Sequence, residues 1–125
     1  MSCRLSELVL NCHDPEALSR FWCEVLGYVE LGREGADIEI GPESGFDSAA
    51  PTIVFALVAE EKTAPLRFHL DVNPVDRDQD AELERLLALG ARPADVGQTG
   101  DESWHVLADP EGNEFCLLRR RLPEL

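Results

Sequence analysis

The chain has 125 residues, the length of one ordinary domain, and 44% of them are hydrophobic, so a packed core is expected. Its 25 acidic and 11 basic side chains give a formal net charge of -14, which repels nucleic-acid phosphates and anionic lipids and argues against both as partners. Its charged start predicts no export signal, its 4 cysteines contain no C-x-x-C pair, and no apolar run reaches the ~18 residues of a membrane span. The expectation is a cytoplasmic protein.

The first half of the chain predicts a strand, a helix and three further strands. Residues 5–12 are a short apolar stretch that stops at Asp14-Pro15, which suits a helix N-cap followed by proline in the first turn. The helix carries apolar residues at i, i+3, i+4 and i+7 spacing and closes at Gly27. The strands that follow are predicted over residues 28–31, 36–40 and 52–58.

The second half predicts the same order of elements again. A strand over 66–72 precedes a helix over 76–90, which carries Leu83, Leu86 and Leu87 on one face and also ends in Leu-Gly. The last strands are predicted over residues 91–96, 104–108 and 114–118, with a tight turn at 109–113.

This repeated order predicts an α+β fold of two pseudo-repeated β-α-β-β-β modules within a single domain over 1–125. The modules divide the chain at about 1–64 and 65–125. A doubly wound parallel sheet is the alternative, but it needs a crossover helix between most of its strands, and the chain predicts only two helices.

Several segments occur in an order that is typical of a known family. They are the N-terminal strand, DPEALSRFWCEVLGY at 14–28, FHLDV at 68–72, the helix end LLALGAR and WHVLADPEGNEFCLL at 104–118. In this combination the chain resembles the vicinal oxygen chelate superfamily of glyoxalase, bleomycin-resistance and dioxygenase-like proteins, and most closely its actinobacterial glyoxalase-like domains. The resemblance implies a curved sheet with a ligand-binding cleft between the modules, and a homodimer.

In the metal-dependent members of that superfamily, four side chains hold a divalent ion, one from the first and one from the last strand of each module. The resemblance aligns Glu7 and His69 with the first-strand positions, and both side chains can ligate. It aligns Phe55 or Ala56, which cannot ligate, with one last-strand position, and Cys116 with the other. The ligand set is therefore incomplete, and we expect neither a full metal site nor true glyoxalase I activity.

Three residues near His69 leave several hypotheses open. Alternation places His69 and Asp71 on one strand face, so Asp71 either orients the imidazole or contacts a ligand, unless the pair is merely structural. Glu114 lies two residues before Cys116 on the same face, so a bound metal, if there is one, would be held by His69, Glu7 and Glu114. Cys116 itself is a zinc ligand, a nucleophile activated by His69, or a buried inert thiol, which is the commonest case.

Trp104 is a candidate wall for a planar ligand, although a tryptophan at the start of a strand is as often a core residue. The predicted cleft is lined by Glu7, Phe55, His69, Asp71, Trp104, Glu114 and Cys116, and no catalytic residue is assigned.

The function expected first is the binding of a small, hydrophobic or aromatic metabolite or antibiotic without a cofactor. The alternative is a metal-dependent lyase, isomerase or dioxygenase with a non-standard set of ligands for a divalent metal. A non-catalytic partner subunit is a third hypothesis.

Overall fold

The computed structural model describes residues 2–124, and residues 1 and 125 lie outside that description. The chain folds into two compact units, the first ending at Glu60 and the second beginning at Glu61. Within residues 2–124, no helix is long and apolar enough to cross a membrane.

The first unit contains one helix and one four-stranded sheet. Its elements are β1 (Glu7–Cys12), α1 (Pro15–Leu26), β2 (Val29–Glu34), β3 (Asp37–Gly41) and β4 (Thr52–Leu57), with a short 3-10 turn at Gly45–Asp47. The strand order is β1-β4-β3-β2, in which β1 and β4 are parallel and the other neighbours are antiparallel.

The second unit repeats this arrangement. Its elements are β5 (Leu70–Val72), α2 (Gln79–Leu89), β6 (Arg92–Pro93), β7 (His105–Ala108) and β8 (Glu114–Leu117). The strand order is β5-β8-β7-β6, again with the first and last strands parallel. The identical order in both units confirms the predicted α+β fold of two β-α-β-β-β modules.

Helix α1 begins and ends where its sequence predicts. Asp14 is the N-cap, and its carboxylate accepts a 3.1 Å hydrogen bond from the amide of Ala17. Gly27 ends the helix with a φ of 68°, a left-handed conformation that glycine adopts without a steric penalty. The apolar face of the helix buries Leu18, Phe21 and Trp22, so this face belongs to the core of the first module.

Helix α2 differs from its prediction in both its start and its buried face. It begins at Gln79 rather than at residue 76, because Asp78 is the N-cap and accepts a 2.9 Å hydrogen bond from the amide of Ala81. Leu86 is fully buried, but Leu87 is 39% exposed and the buried position one turn before Leu86 belongs to Glu82. Glu82 is tolerated there because Arg85 donates to its carboxylate at 2.6 Å.

Two predicted strands are shorter than expected because side chains bind backbone groups that a longer strand would use. In the strand predicted over 66–72, only Leu70–Val72 pairs, and the amide of Leu66 donates to the carboxylate of Glu114 at 2.9 Å. The strand predicted over 91–96 covers only Arg92–Pro93. The amide of Ala94 still donates to the carbonyl of Val106 at 3.0 Å, but the side chain of Gln98 binds the carbonyl of Ala94 and the amide of Val96.

The turn that joins β7 to β8 is built on a buried carboxylate. Asp109 is fully buried, and its Oδ1 accepts hydrogen bonds from the amides of Glu111 and Asn113 at 2.9 and 3.0 Å. The side-chain amide of Asn113 donates to both oxygens of the same carboxylate. This turn sets the antiparallel register of β7 and β8.

Glu114, the first residue of β8, anchors the irregular segment that precedes β5. Besides the Leu66 amide, its carboxylate accepts a 2.8 Å hydrogen bond from Lys62. Burial opposes ionisation of this side chain, but the hydrogen bonds from Lys62 and Leu66 outweigh it and hold the pKa of Glu114 below its usual value.

We predict that Asp109→Ala lowers the free energy of unfolding by roughly 3 kcal/mol, because it leaves several buried amide donors without their acceptor. Urea unfolding of wild type and variant measures the difference. Asp101→Ala, which removes an exposed carboxylate, is the control and should change stability by less than about 0.5 kcal/mol. Equal stability of the two variants would contradict the role given to the Asp109 turn.

We also predict that Glu114→Gln destabilises the protein by about 1 to 2 kcal/mol at neutral pH, since it removes the charge that Lys62 and the Leu66 amide stabilise. The folded pKa of Glu114 lies below the unfolded value. The contribution of ionised Glu114 to stability is therefore fully present above the unfolded pKa of about 4.3, and it is lost as the pH falls through the folded pKa.

Unfolding curves should be recorded from pH 7 down to pH 3. The difference in the free energy of unfolding between wild type and Glu114→Gln should shrink as the pH falls. Glu84→Gln, on an exposed position of α2, is the matched control. A gap that stays constant over this range would refute the electrostatic account of the anchor.

Candidate functional site

The register of the second sheet sorts its residues onto two faces. Leu70, Phe115, Leu107 and Leu117 share one face, on which Phe115, Leu107 and Leu117 are buried in the hydrophobic core. Asp71 pairs with Cys116, Cys116 with Val106, and Glu114 with Ala108, so these residues lie on the opposite face. We call this opposite face, with Asp71, Val106, Glu114 and Cys116, the Cys116 face.

Three side chains with metal-binding chemistry converge on the Cys116 face. Nε2 of His69 lies 3.3 Å from Oδ1 of Asp71, and one potential ligand atom from each of His69, Asp71 and Cys116 lies within 4.8 Å of the others. No other group of three or more such side chains meets this criterion in residues 2–124. The side chains of His69 and Asp71 are half-exposed, at 50% and 47%, whereas Cys116 is buried.

The surroundings of Cys116 favour the protonated thiol. Burial raises the pKa of this thiol, and the neighbouring carboxylate of Asp71 raises it further through its charge and by accepting a hydrogen bond. A nucleophilic cysteine needs the opposite environment, one that stabilises the thiolate. The hypothesis of a nucleophile activated by His69 therefore receives no support from the electrostatics.

Glu114 lies on the Cys116 face but outside the three-residue cluster. Both of its oxygens are engaged, one by Lys62 and the other by the Leu66 amide, and its side chain is only 15% exposed. The long-range contact with Lys62 has no signature in the sequence near Glu114. In the described part of this module, the side chains that are close enough together to hold a metal ion are those of His69, Asp71 and Cys116, whereas Glu114 binds Lys62 and the Leu66 amide.

The two candidate residues of the first module occupy different environments. Glu7 is exposed at the start of β1 and pairs with Thr52. Phe55 is fully buried opposite Leu10 and Ile38, in the core of the module. Residues 53–58 are all apolar, so the sequence did not indicate which face of β4 is buried.

Two aromatic rings of the second module are accessible to solvent. Trp104 precedes β7 and is 43% exposed. Phe68, which sequence reasoning missed as a functional candidate, directly precedes His69 and is 93% exposed. An apolar residue in a run such as FHLDV is typical of a buried strand, so no pattern in the sequence distinguished this ring from a core residue.

A comparison with family models matches residues 7–118 to a glyoxalase-like domain. No curated protein sequence matches the chain. Solved structures give further matches. A glyoxalase/bleomycin resistance protein/dioxygenase family enzyme from Burkholderia phytofirmans PsJN is 22% identical, with a TM-score of 0.68 over 92% of this chain and 97% of that chain.

Two fosfomycin resistance proteins named FosX share the fold. The protein from Mesorhizobium loti is 17% identical, with a TM-score of 0.67 over 94% of this chain and 92% of that one. The protein from Listeria monocytogenes, solved with Mn(II) and a sulfate ion, is 16% identical. Its TM-score is 0.71, and the match covers 95% of this chain and 91% of that one. At these identities the structures demonstrate a shared fold.

The family model spans nearly the whole chain, and the solved structures share its two-module architecture. These matches confirm the resemblance that the sequence motifs indicated. The chain belongs to the family of glyoxalase-like domains, and it shares its fold with a glyoxalase/bleomycin resistance protein/dioxygenase family enzyme.

Proposed function

We propose that this chain binds a small hydrophobic or aromatic metabolite or antibiotic through its second module, without the four-ligand metal set of the metal-dependent relatives. The observation that carries the proposal is the combination, in one module, of accessible aromatic rings at Phe68 and Trp104 with the polar cluster of His69, Asp71 and Cys116. Small-molecule sites typically combine apolar and aromatic walls with a few polar groups that fix orientation.

The positions of the two rings along the chain support this proposal. Phe68 is the immediate neighbour of His69, and Trp104 lies two residues before Val106, which pairs with Cys116. Covering such rings with an apolar ligand removes their surface from water, at roughly 25 cal/mol per Å². The imidazole, carboxylate and thiol then offer hydrogen-bonding groups that distinguish one ligand from another.

Trp104 supplies a direct reporter of binding. The chain has 2 tryptophans, and Trp22 is only 2% exposed in the core of the first module. We predict that a ligand found by screening small aromatic compounds in the presence of EDTA raises the melting temperature and quenches Trp104 fluorescence. Trp104→Ala should weaken that ligand about 10-fold, as expected for loss of one aromatic contact of ~1.4 kcal/mol.

Phe46→Ala removes an aromatic ring of the first module that is 63% exposed, and it is the matched control for Trp104→Ala. It should leave the affinity unchanged. The proposal fails if no compound stabilises the protein, or if Phe46→Ala and Trp104→Ala weaken the ligand equally.

A second candidate function, a metal-assisted lyase, isomerase or dioxygenase, is favoured by the convergence of His69, Asp71 and Cys116. These three side chains offer one nitrogen, one oxygen and one sulfur donor, and their number leaves a coordination position for a substrate oxygen. A divalent ion held by His69, Asp71 and Cys116 would supply Lewis-acid chemistry for such an oxygen.

For this candidate we predict that protein purified without affinity-column metal retains about one ion per chain, and that His69→Ala loses both the ion and any turnover. Elemental analysis and activity assays measure the two losses. The control is His105→Ala, whose side chain lies on the opposite face of the same sheet. Unchanged metal content in His69→Ala would rule out this candidate.

The homodimer and the cytoplasmic location stay predictions from the sequence and the resemblance. Light scattering during size-exclusion chromatography measures the assembly directly.

A further inference from the structure

We infer that His69, Asp71 and Cys116 form a site selective for a thiophilic divalent cation, with zinc preferred over manganese and magnesium. The inference deepens the role proposed for the Cys116 face by naming the class of cation. It rests on the same cluster as the metal-assisted candidate, but binding can be measured without any organic ligand or turnover.

The spacing of the three donors suits a small tetrahedral ion. In a zinc site each donor lies about 2.0 to 2.3 Å from the ion, so neighbouring donors lie roughly 3.3 to 3.8 Å apart. The donors of His69 and Asp71 are 3.3 Å apart, and all three lie within 4.8 Å of one another. Closing the site around such an ion requires the half-exposed imidazole and carboxylate to rotate towards the sulfur.

The sulfur atom of Cys116 is the least mobile of the three donors. Cys116 is 8% exposed in the middle of β8, where it pairs with Asp71 on one side and Val106 on the other. Its side chain therefore has little freedom to turn away. An ion that binds here meets the sulfur, which gives up its proton to solvent and ligates as a thiolate.

The identity of the donors decides the class of cation. Thiolate sulfur suits zinc and other soft or borderline ions, whereas magnesium and manganese prefer carboxylates, carbonyls and water. The nearby carboxylate that would make the set richer in oxygen is Glu114, and Lys62 and the Leu66 amide already engage it. The donor set of this module is therefore one nitrogen, one oxygen and one sulfur.

The test is a titration of apoprotein with Zn²⁺, Mn²⁺ and Mg²⁺ alone, followed by calorimetry under reducing conditions. We expect zinc to bind most tightly, and Cys116→Ser to weaken zinc by at least about 100-fold while changing manganese little, since even residues that merely orient ligands contribute 10- to 100-fold. Cys116→Glu should shift the preference towards manganese. All variants carry Cys3→Ser, because Cys3 is an exposed thiol.

Cys23→Ser, in the first module, is the matched thiol control and should leave zinc affinity unchanged. Far-ultraviolet circular dichroism verifies that each variant is folded. If Cys116→Ser does not fold, Co²⁺ added to the protein with Cys116 intact still decides the question, because sulfur ligation gives a strong near-ultraviolet charge-transfer band. Absence of that band, or unchanged zinc affinity in folded Cys116→Ser, overturns the inference.

A failed ligand screen with intact zinc binding would remove the small-molecule proposal and leave this inference standing. A successful ligand screen without zinc binding would overturn this inference and leave the small-molecule proposal standing.

Discussion

The parallel pairing of the first and last strands is the constraint on which each module depends. A parallel pair cannot be joined by a tight turn and needs a long connection, which in each module runs through a helix and two further strands. In the second module this return places Cys116 beside Asp71, although the two residues are far apart in the sequence. The cluster on the Cys116 face is therefore a product of topology, and the local sequence around either residue does not contain it.

Strand β5 is only three residues long, so it forms few backbone hydrogen bonds and polar contacts stabilise its position. The buried carboxylate of Asp109 fixes the turn before β8, and Glu114 ties the segment before β5 to the start of β8. Neither anchor is a member of the cluster of His69, Asp71 and Cys116. Glu114, which the sequence offered as a substitute metal ligand two residues before Cys116, thus binds Lys62 and the Leu66 amide and holds the segment before β5.

The helices and the repeated fold could be predicted from the sequence because their signals are local. Asp14 and Gly27 cap α1 within the helix's own segment, and the motifs that indicated the family span the chain. The details that escaped prediction depend on contacts distant in sequence or on exposure. They are the Lys62–Glu114 pair, the shortened strand β5, buried Glu82 and exposed Phe68.

The proposed cation and the proposed ligand share one module, so the two binding events are linked. If a cation strengthens the binding of a ligand, that ligand strengthens the binding of the cation by the same factor. A ligand that offers an oxygen atom to an ion held by His69, Asp71 and Cys116 gains affinity from that ion, whereas a purely hydrophobic ligand that stacks on Phe68 or Trp104 gains little. The size of this coupling, measured with and without zinc, therefore distinguishes an ion that binds the ligand from one with a structural role.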